Sequence, residues 1–241
     1  MNIRSLMRHT VLISALCAML GVPTLAYSAA VYLIGDGYQN GSQSFTLNSV
    51  TPPLVGMEVD AGGFTGRIGP NPGPPPTTPI LFWCAELTQT FSFGTVYSNY
   101  TSSPLGSGLT NTLLSQLFTY VGGSASATST PDRSAAFQLA VWEILFEGGA
   151  YGGLNVSNGN FQASGNAAAI NLANSWLGAL TAGSAHTVAL FLLHSDTNQD
   201  FITDTNSPLF LTPEPGSLAL LSVGIFGAMF AMRRRTQRPS R

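Results

Sequence analysis

The chain has 241 residues, 44% of them hydrophobic and only 8% charged, a length that suits one sizeable domain once processed ends are set aside. Its formal net charge of −2 is unevenly placed: residues 31–212 carry ten acids against two arginines, Arg67 and Arg133, a net −8, and the other arginines sit in the two ends. So acidic a body excludes nucleic acid as a partner, because that polymer requires clustered cations to displace its counterions.

The N-terminus carries Arg4 and Arg8, the apolar run Val11 to Leu20, Pro23 and then the small residues of AYSAA. A cationic start, a short apolar core and small residues at a cleavage point predict a secretory signal peptide over residues 1–30, cut after Ser28 or Ala30 and delivered to the Sec machinery. Cys17 does not make a lipoprotein box, since Leu16 stands where a small residue is required.

From Val31 to Asp60, short apolar or alternating runs separated by Gly, Asn and Pro predict two or three strands. Residues 66–79, GRIGPNPGPPPTTP, read as a proline-rich surface loop, because proline has no N–H to give a sheet. ILFWCAEL and FSFGTVYSNY then read as strands rich in aromatic residues. Alternation on the first of these sets Phe82, Cys84 and Glu86 on one face and Leu81, Trp83, Ala85 and Leu87 on the other.

The period then changes. LTNTLLSQLFTYVGG has helical spacing and stops at Gly122 and Gly123. A second helix is predicted over Pro131 to Glu147, with Thr130 as N-cap, Asp132 favourable to the dipole and Gly148 and Gly149 as the stop. A third falls within SGNAAAINLANSWLGALTAG, and strands return at HTVALFLLH and near PLFLTP. The expected fold is therefore mainly β (α+β), an antiparallel β-sandwich or barrel-like body in which about three helices, within about 108–181, form an insertion.

Removal of the signal peptide leaves Cys84 as the single cysteine. In an oxidising compartment it has no internal disulfide partner, so it is buried, paired with another chain, or chemically committed. The helix Pro131 to Glu147 is apolar nearly all round: Phe137, Ala140, Val141, Ile144 and Leu145 make one face, and Leu139, Trp142 and Phe146 extend it. Such a helix is buried, and Gln138 with it. An unpaired amide there costs roughly 1–3 kcal/mol, so something must satisfy or consume it. The plainer outcome is a hydrogen bond to a neighbouring backbone group. The sharper one is attack by the Cys84 thiolate on the amide carbon, expelling ammonia and leaving a thioester, a stored electrophile that an amine can open. Phe82, Trp83, Phe137 and Trp142 would shield such a bond from water.

FWCAEL followed some fifty residues later by FQLAVWEI resembles the thioester domains of bacterial surface adhesins. The resemblance implies Cys84 as thiol and Gln138 as acyl partner, with Ala140, Val141 and Trp142 completing the helical motif, and covalent capture of an extracellular amine-bearing polymer or protein. The chain departs from that pattern at Phe137, where threonine is usual, and at Ala85 after the cysteine.

Other patterns are weaker. Asp196, Asn198 and Asp200 alternate as in a calcium loop, but Phe201 stands where glycine is needed and Ser207 where a closing acid is needed, so a solvated loop is expected. His186 and His194 fall at opposite ends of one predicted strand and do not make a metal pair. No catalytic triad, phosphate loop or carboxylate pair stands out, so the expectation is a protein that is not an enzyme and has no cofactor.

The C-terminus combines Pro213, Glu214 and Pro215, an apolar segment from Leu218 to Met232, and Arg233, Arg234 and Arg235. Fifteen helical residues rise roughly 22 Å, short of a roughly 30 Å hydrocarbon core, so a span over 218–232 requires the arginines to snorkel on the cytoplasmic side. The order Pro-Glu-Pro, apolar helix, arginine cluster over 213–241 resembles the PEP-CTERM sorting signal. It implies recognition by an exosortase-type enzyme, a membrane-anchored intermediate, and delivery to the surface or exopolysaccharide matrix of a Gram-negative bacterium. The alternative function, in which Cys84 and Gln138 merely pack, is a non-covalent structural or carbohydrate-associated matrix component.

Overall fold

A computed structural model describes residues 28–51, 54–148 and 150–204. Nearly all of the predicted signal peptide, the strand predicted near PLFLTP and the whole sorting signal with the membrane span predicted in it lie outside the described residues. The described chain is mainly β: nine strands and four helices. The strands are β1 (Ala29–Tyr38), β2 (Gln43–Ser49), β3 (Glu58–Ala61), β4 (Phe64–Pro70), β5 (Thr78–Cys84), β6 (Val96–Pro104), β7 (Gln162–Gly165), β8 (Phe191–His194) and β9 (Phe201–Thr203). The helices are α1 (Leu109–Val121), α2 (Gly123–Ala127), α3 (Pro131–Glu147) and α4 (Ala167–Gly178).

Of the two expected β architectures the barrel forms: six strands close in the order β1-β4-β5-β9-β8-β6, every neighbour antiparallel. A separate three-stranded sheet, β3-β2-β7, flanks it. The alternation expected on β5 sorts its side chains between two aromatic layers. Phe82 points into the barrel, where Phe64, Phe91 and Phe201 gather around it at ring separations of 5.4, 6.1 and 4.8 Å. Trp83 points out, onto Phe137 of α3 at 4.4 Å, and Phe137 continues the outer layer to Phe118 and Trp176. Helix α3 thus runs through the core between the barrel and the other helices, and from Ser134 to Ile144 every residue of it is buried.

Both predicted ends of α3 occur as expected. Thr130 accepts a hydrogen bond from the Arg133 N–H, and Gly148 closes the helix in the left-handed conformation at φ 86°. The helical part differs from a pure insertion in two ways: the one-turn helix α2 follows α1, and strand β7 sits inside it, carried by β2 of the flanking sheet.

Several strand limits move. Residues 66–79 do not stay out of the sheet: β4 runs through Pro70, β5 begins at Thr78, and only 71–77 remain as loop. The prolines fit because of register. Pro79 lies opposite Arg67, on the phase of β5 whose backbone groups face the β9 edge, and β9 covers only Trp83 and Cys84. Its missing N–H therefore removes no ladder bond. In FSFGTVYSNY the strand starts at Val96, after Gly94 turns the chain at φ 76°, and Phe91 and Phe93 belong to the preceding loop. HTVALFLLH is a strand only from Phe191, which leaves His186 outside it. Strand β9, at Phe201–Thr203, is too short to carry a period of its own and went unpredicted.

Candidate functional site

The site lies at the barrel end where β1 finishes, β4 starts, β5 finishes and β9 starts. Strand β4 begins at Phe64, opposite Phe82, so the backbone of Cys84 projects past the last residue of its neighbour on that edge. Gln138 supplies the missing partner. Its Oε1 accepts from the Cys84 N–H at 2.9 Å, and its Nε2 donates to the Cys84 carbonyl oxygen at 2.9 Å. The side-chain amide of a helix thereby completes the ladder of a strand: Gln138 bonds a neighbouring backbone, as the plainer expectation had it, and that backbone belongs to the cysteine.

Helical spacing makes this one of three contacts along the same stripe of α3. One turn before Gln138, Ser134 Oγ accepts from the N–H of Gly63 at 2.8 Å, just ahead of β4. One turn after it, Trp142 lines with Cys84 a pocket of about 210 Å³ at this end of the barrel, whose other walls include Tyr38, Met57 and Phe93. Residues at i, i+4 and i+8 share a face, so the stripe was present in the sequence as Ser134, Gln138 and Trp142, although only Gln138 was picked out by polarity.

The Cys84 thiol points along the barrel interior, on the face of its strand partner Phe201. It donates to the Glu86 carbonyl and accepts from Gln199 Nε2 at 2.9 Å. Cys84 is 2% exposed and Gln138 1%. Burial pushes the thiol pKa up to about 12, opposed by the Trp142 indole and by the Glu86 backbone. Trp142 Nε1 has no partner at hydrogen-bonding geometry, yet it stands close enough to the sulfur to favour ionisation. The Glu86 carboxyl is also raised, by burial and then by the nearby Asp200, and its Oε1 is buried without a partner.

The four aromatic residues expected to shield the pair are all buried, on two sides of it. Phe82 and Trp142 stand on the thiol's side, whereas Trp83 and Phe137 close the opposite face of β5. Trp83 is further anchored by donation from Nε1 to Ser124 Oγ at 2.8 Å. Gln199 is a contact that sequence reasoning missed. It lies within DTNQD, read as a solvated loop, and nothing local indicated that the chain there turns back to the end of β5.

The acids of that loop are occupied by their own neighbours. Asp200 receives the Ser195 N–H at 2.9 Å and lies 2.8 Å from His194 Nδ1, while Asp196 lies 3.2 Å from His194 Nε2. Asp200 and then Asp196 raise the His194 pKa, against some desolvation. Among the described residues no group of three or more His, Cys, Asp or Glu is placed to hold a metal ion.

Residues 211–235 match the PEP-CTERM protein-sorting motif. The match supports a PEP-CTERM protein and, with it, export, processing by an exosortase, and a membrane-associated intermediate bound for the cell surface. No curated protein and no solved structure matches the chain significantly, so the thioester-domain resemblance finds no support there. Among the described residues no helix is long and apolar enough to cross a membrane.

Proposed function

We propose that this is an exported surface or matrix protein whose barrel domain forms an internal thioester between Cys84 and Gln138 and uses it once, to capture an amine. The observation that carries the reading is the paired contact of the Gln138 amide with the Cys84 N–H and carbonyl, both at 2.9 Å. It holds the electrophilic carbon beside the residue that bears the thiol. The Cys84 N–H already donates to the oxygen on which negative charge develops during attack, as an oxyanion-hole donor does. Gln199 Nε2 can stabilise the sulfur as it loses its proton. In the step itself the S–C bond forms, the C–N bond breaks, and the thiol proton leaves with the amide nitrogen as ammonia. Opening by an amine reverses the roles: an N–C bond forms, the C–S bond breaks, and the proton lost by nitrogen returns to sulfur. A bond consumed in its one reaction makes the protein a capture device rather than an enzyme.

Intact mass tests this directly. A thioester protein is lighter than its sequence by one ammonia, gains methylamine at Gln138, and loses both properties in Cys84→Ala. That variant keeps the amide's hydrogen bonds, because Gln138 pairs with backbone groups, so loss of folding does not confuse the result. An unmodified mass together with a thiol that titrates on unfolding would overturn the proposal.

The same geometry also favours a second reading, that of a non-covalent structural component of the matrix. Both polar atoms of the amide are paired, and the thiol, which donates to one group and accepts from another and is pushed up to about 12, is stable as it stands. The mass measurement decides between the two.

A further inference from the structure

The loop between β8 and β9, residues 195–200, reaches back to the end of β5 and sets one of its side chains on the Cys84 sulfur. Gln199 Nε2 donates to that sulfur at 2.9 Å and to the Glu86 carbonyl at 3.3 Å. The Ala85 N–H donates to the Asp200 carbonyl at 2.8 Å and the Tyr100 hydroxyl to the Gln199 carbonyl at 2.6 Å, so the loop is tied to the barrel on either side of Gln199. His194, the last residue of β8, closes the loop on itself: Nδ1 lies 2.8 Å from Asp200 Oδ2, and Nε2 lies 3.2 Å from Asp196 Oδ1. We propose that His194 is a pH-operated clasp on this loop: its protonated ring holds the loop shut with Gln199 on the Cys84 sulfur, and its neutral ring lets the loop lift and bares the sulfur to reagents. Access is governed in the same way whether the sulfur is a free thiol or one side of a thioester, so the clasp stands independently of the capture reading, whose regulation it would supply.

The ring chemistry sets the direction. Only a protonated imidazole donates from both nitrogens; the neutral ring has one N–H, and its other nitrogen then turns a lone pair towards a carboxylate oxygen. Charge acts in the same sense. The groups that face His194 are Asp196 and Asp200 of its own loop and Glu86 from the segment after β5. Tyr100 of β6 and Cys84 of β5 also feel Asp200, but burial pushes their hydroxyl and thiol up, and both stay neutral near pH 7. The other described cations are placed elsewhere: Arg67 is paired with Asp36, Arg133 lies over the Trp176 ring, and His186 sits beside the Ser184 carbonyl. Loss of the His194 proton therefore leaves the Asp200 and Glu86 carboxylates near one another without a counter-charge. The Asp200 hydrogen bond, against some desolvation, and then Asp196 raise the His194 pKa above 6.5 while the loop is closed. Closing thus takes up a proton: the clasp is fully set below about 6.5 and is lost as pH rises through the raised value.

The test follows the reactivity of the sulfur from about pH 5.5 to about pH 8.5, the range of a histidine switch, in the natural chain and in His194→Gln. The reagent is an aromatic disulfide where intact mass shows a free thiol, and hydroxylamine where it shows a thioester. Taking the ratio of the two rates removes the titration of the reagent and of the sulfur. The natural chain should react roughly fivefold more slowly than the variant at the acid end, the upper scale of an exposed ion pair, and the two rates should converge as pH rises. Low urea should leave the natural rate unchanged, because a lifting loop exposes little new surface, whereas reaction through global unfolding climbs steeply with denaturant. A ratio that does not change with pH, a natural chain as fast as the variant at the acid end, or a rate that climbs with urea would overturn the proposal. Since either reagent reports on the clasp, absence of the thioester sinks the capture reading alone.

Discussion

At the scale of single residues, Gln138 and Glu143 show how differently one buried helix treats two of its polar side chains. Gln138 has both its groups paired with one strand residue. Replacing it by leucine leaves the Cys84 N–H and carbonyl buried without partners, and should cost roughly 2–4 kcal/mol in urea unfolding. Cys84→Ala, which spares those groups, should cost clearly less. Glu143 is instead half-satisfied: Oε1 accepts from the Asn155 N–H at 2.7 Å, and Oε2 is buried with no partner. Burial raises its pKa to about 7, with Glu147 adding to the effect and the Asn155 N–H opposing it. Because the folded pKa exceeds the unfolded one, near 4.5, the folded state holds the proton between them and the unfolded state does not. Stability is therefore greatest below about 4.5, falls as pH rises towards about 7, and is level beyond it as far as this group is concerned. Denaturant midpoints across that window should decline for the natural sequence and decline less steeply in Glu143→Gln, where the raised Glu86 and His194 still act in the same direction. The Cys84 and Gln138 pairing was legible because each residue was anomalous, a lone thiol and an amide in an apolar helix. That the amide would meet the cysteine's backbone was not, since backbone partners leave no mark on residue identity.

At the scale of elements, the barrel depends on close backbone approach between β1 and β4. Gly66 lies opposite Gly35, and a Cβ built on it would stand 2.0 Å from the Ile34 carbonyl oxygen. Gly66→Ala should lower stability by more than about 2 kcal/mol, because a backbone atom rather than a flexible side chain must yield. Thermal melting followed by near-ultraviolet dichroism measures it. Helix α3 offers a milder comparison: Thr130→Ala loses the Arg133 N–H contact and should cost about 1 kcal/mol. Helices were the more legible elements, since spacing, cap and glycine stop are local signals, and α3 carries all three. The strands were less so. Gly66 is required because β4 is squeezed there between the Ile34 backbone of β1 and the Phe82 ring of β5, and that squeeze is a long-range fact.

At the scale of the whole molecule, the termini and the absence of lysine belong together with the site. Ala29 and Ala30 lie in β1, opposite Ser102 and Thr101 of β6, and the Ala30 carbonyl accepts from the Asn71 N–H. A cut after Ser28 leaves that pairing whole, and N-terminal sequencing of the exported protein should begin at Ala29. With no lysine in the chain, no side-chain primary amine competes for a thioester. Met57→Lys, at the pocket mouth, should therefore cross-link internally to Gln138, seen as a branched peptide after proteolysis and absent when Cys84→Ala is added. No such peptide in Met57→Lys would count against capture at this site.

By itself the sequence determined the sorting signal, the mainly β character, the three longer helices and the anomaly of one thiol and one amide, because each is written in composition or local period. Only the tertiary structure decided that six strands close into a barrel, that β4 stops short of Cys84, and that Gln138 fills the gap. It alone brought Gln199 to the sulfur and set Glu58, Asp60 and Gln89 around one pocket. Those contacts join residues far apart in the chain, and their energies depend on register and burial, which exist only once the barrel has closed.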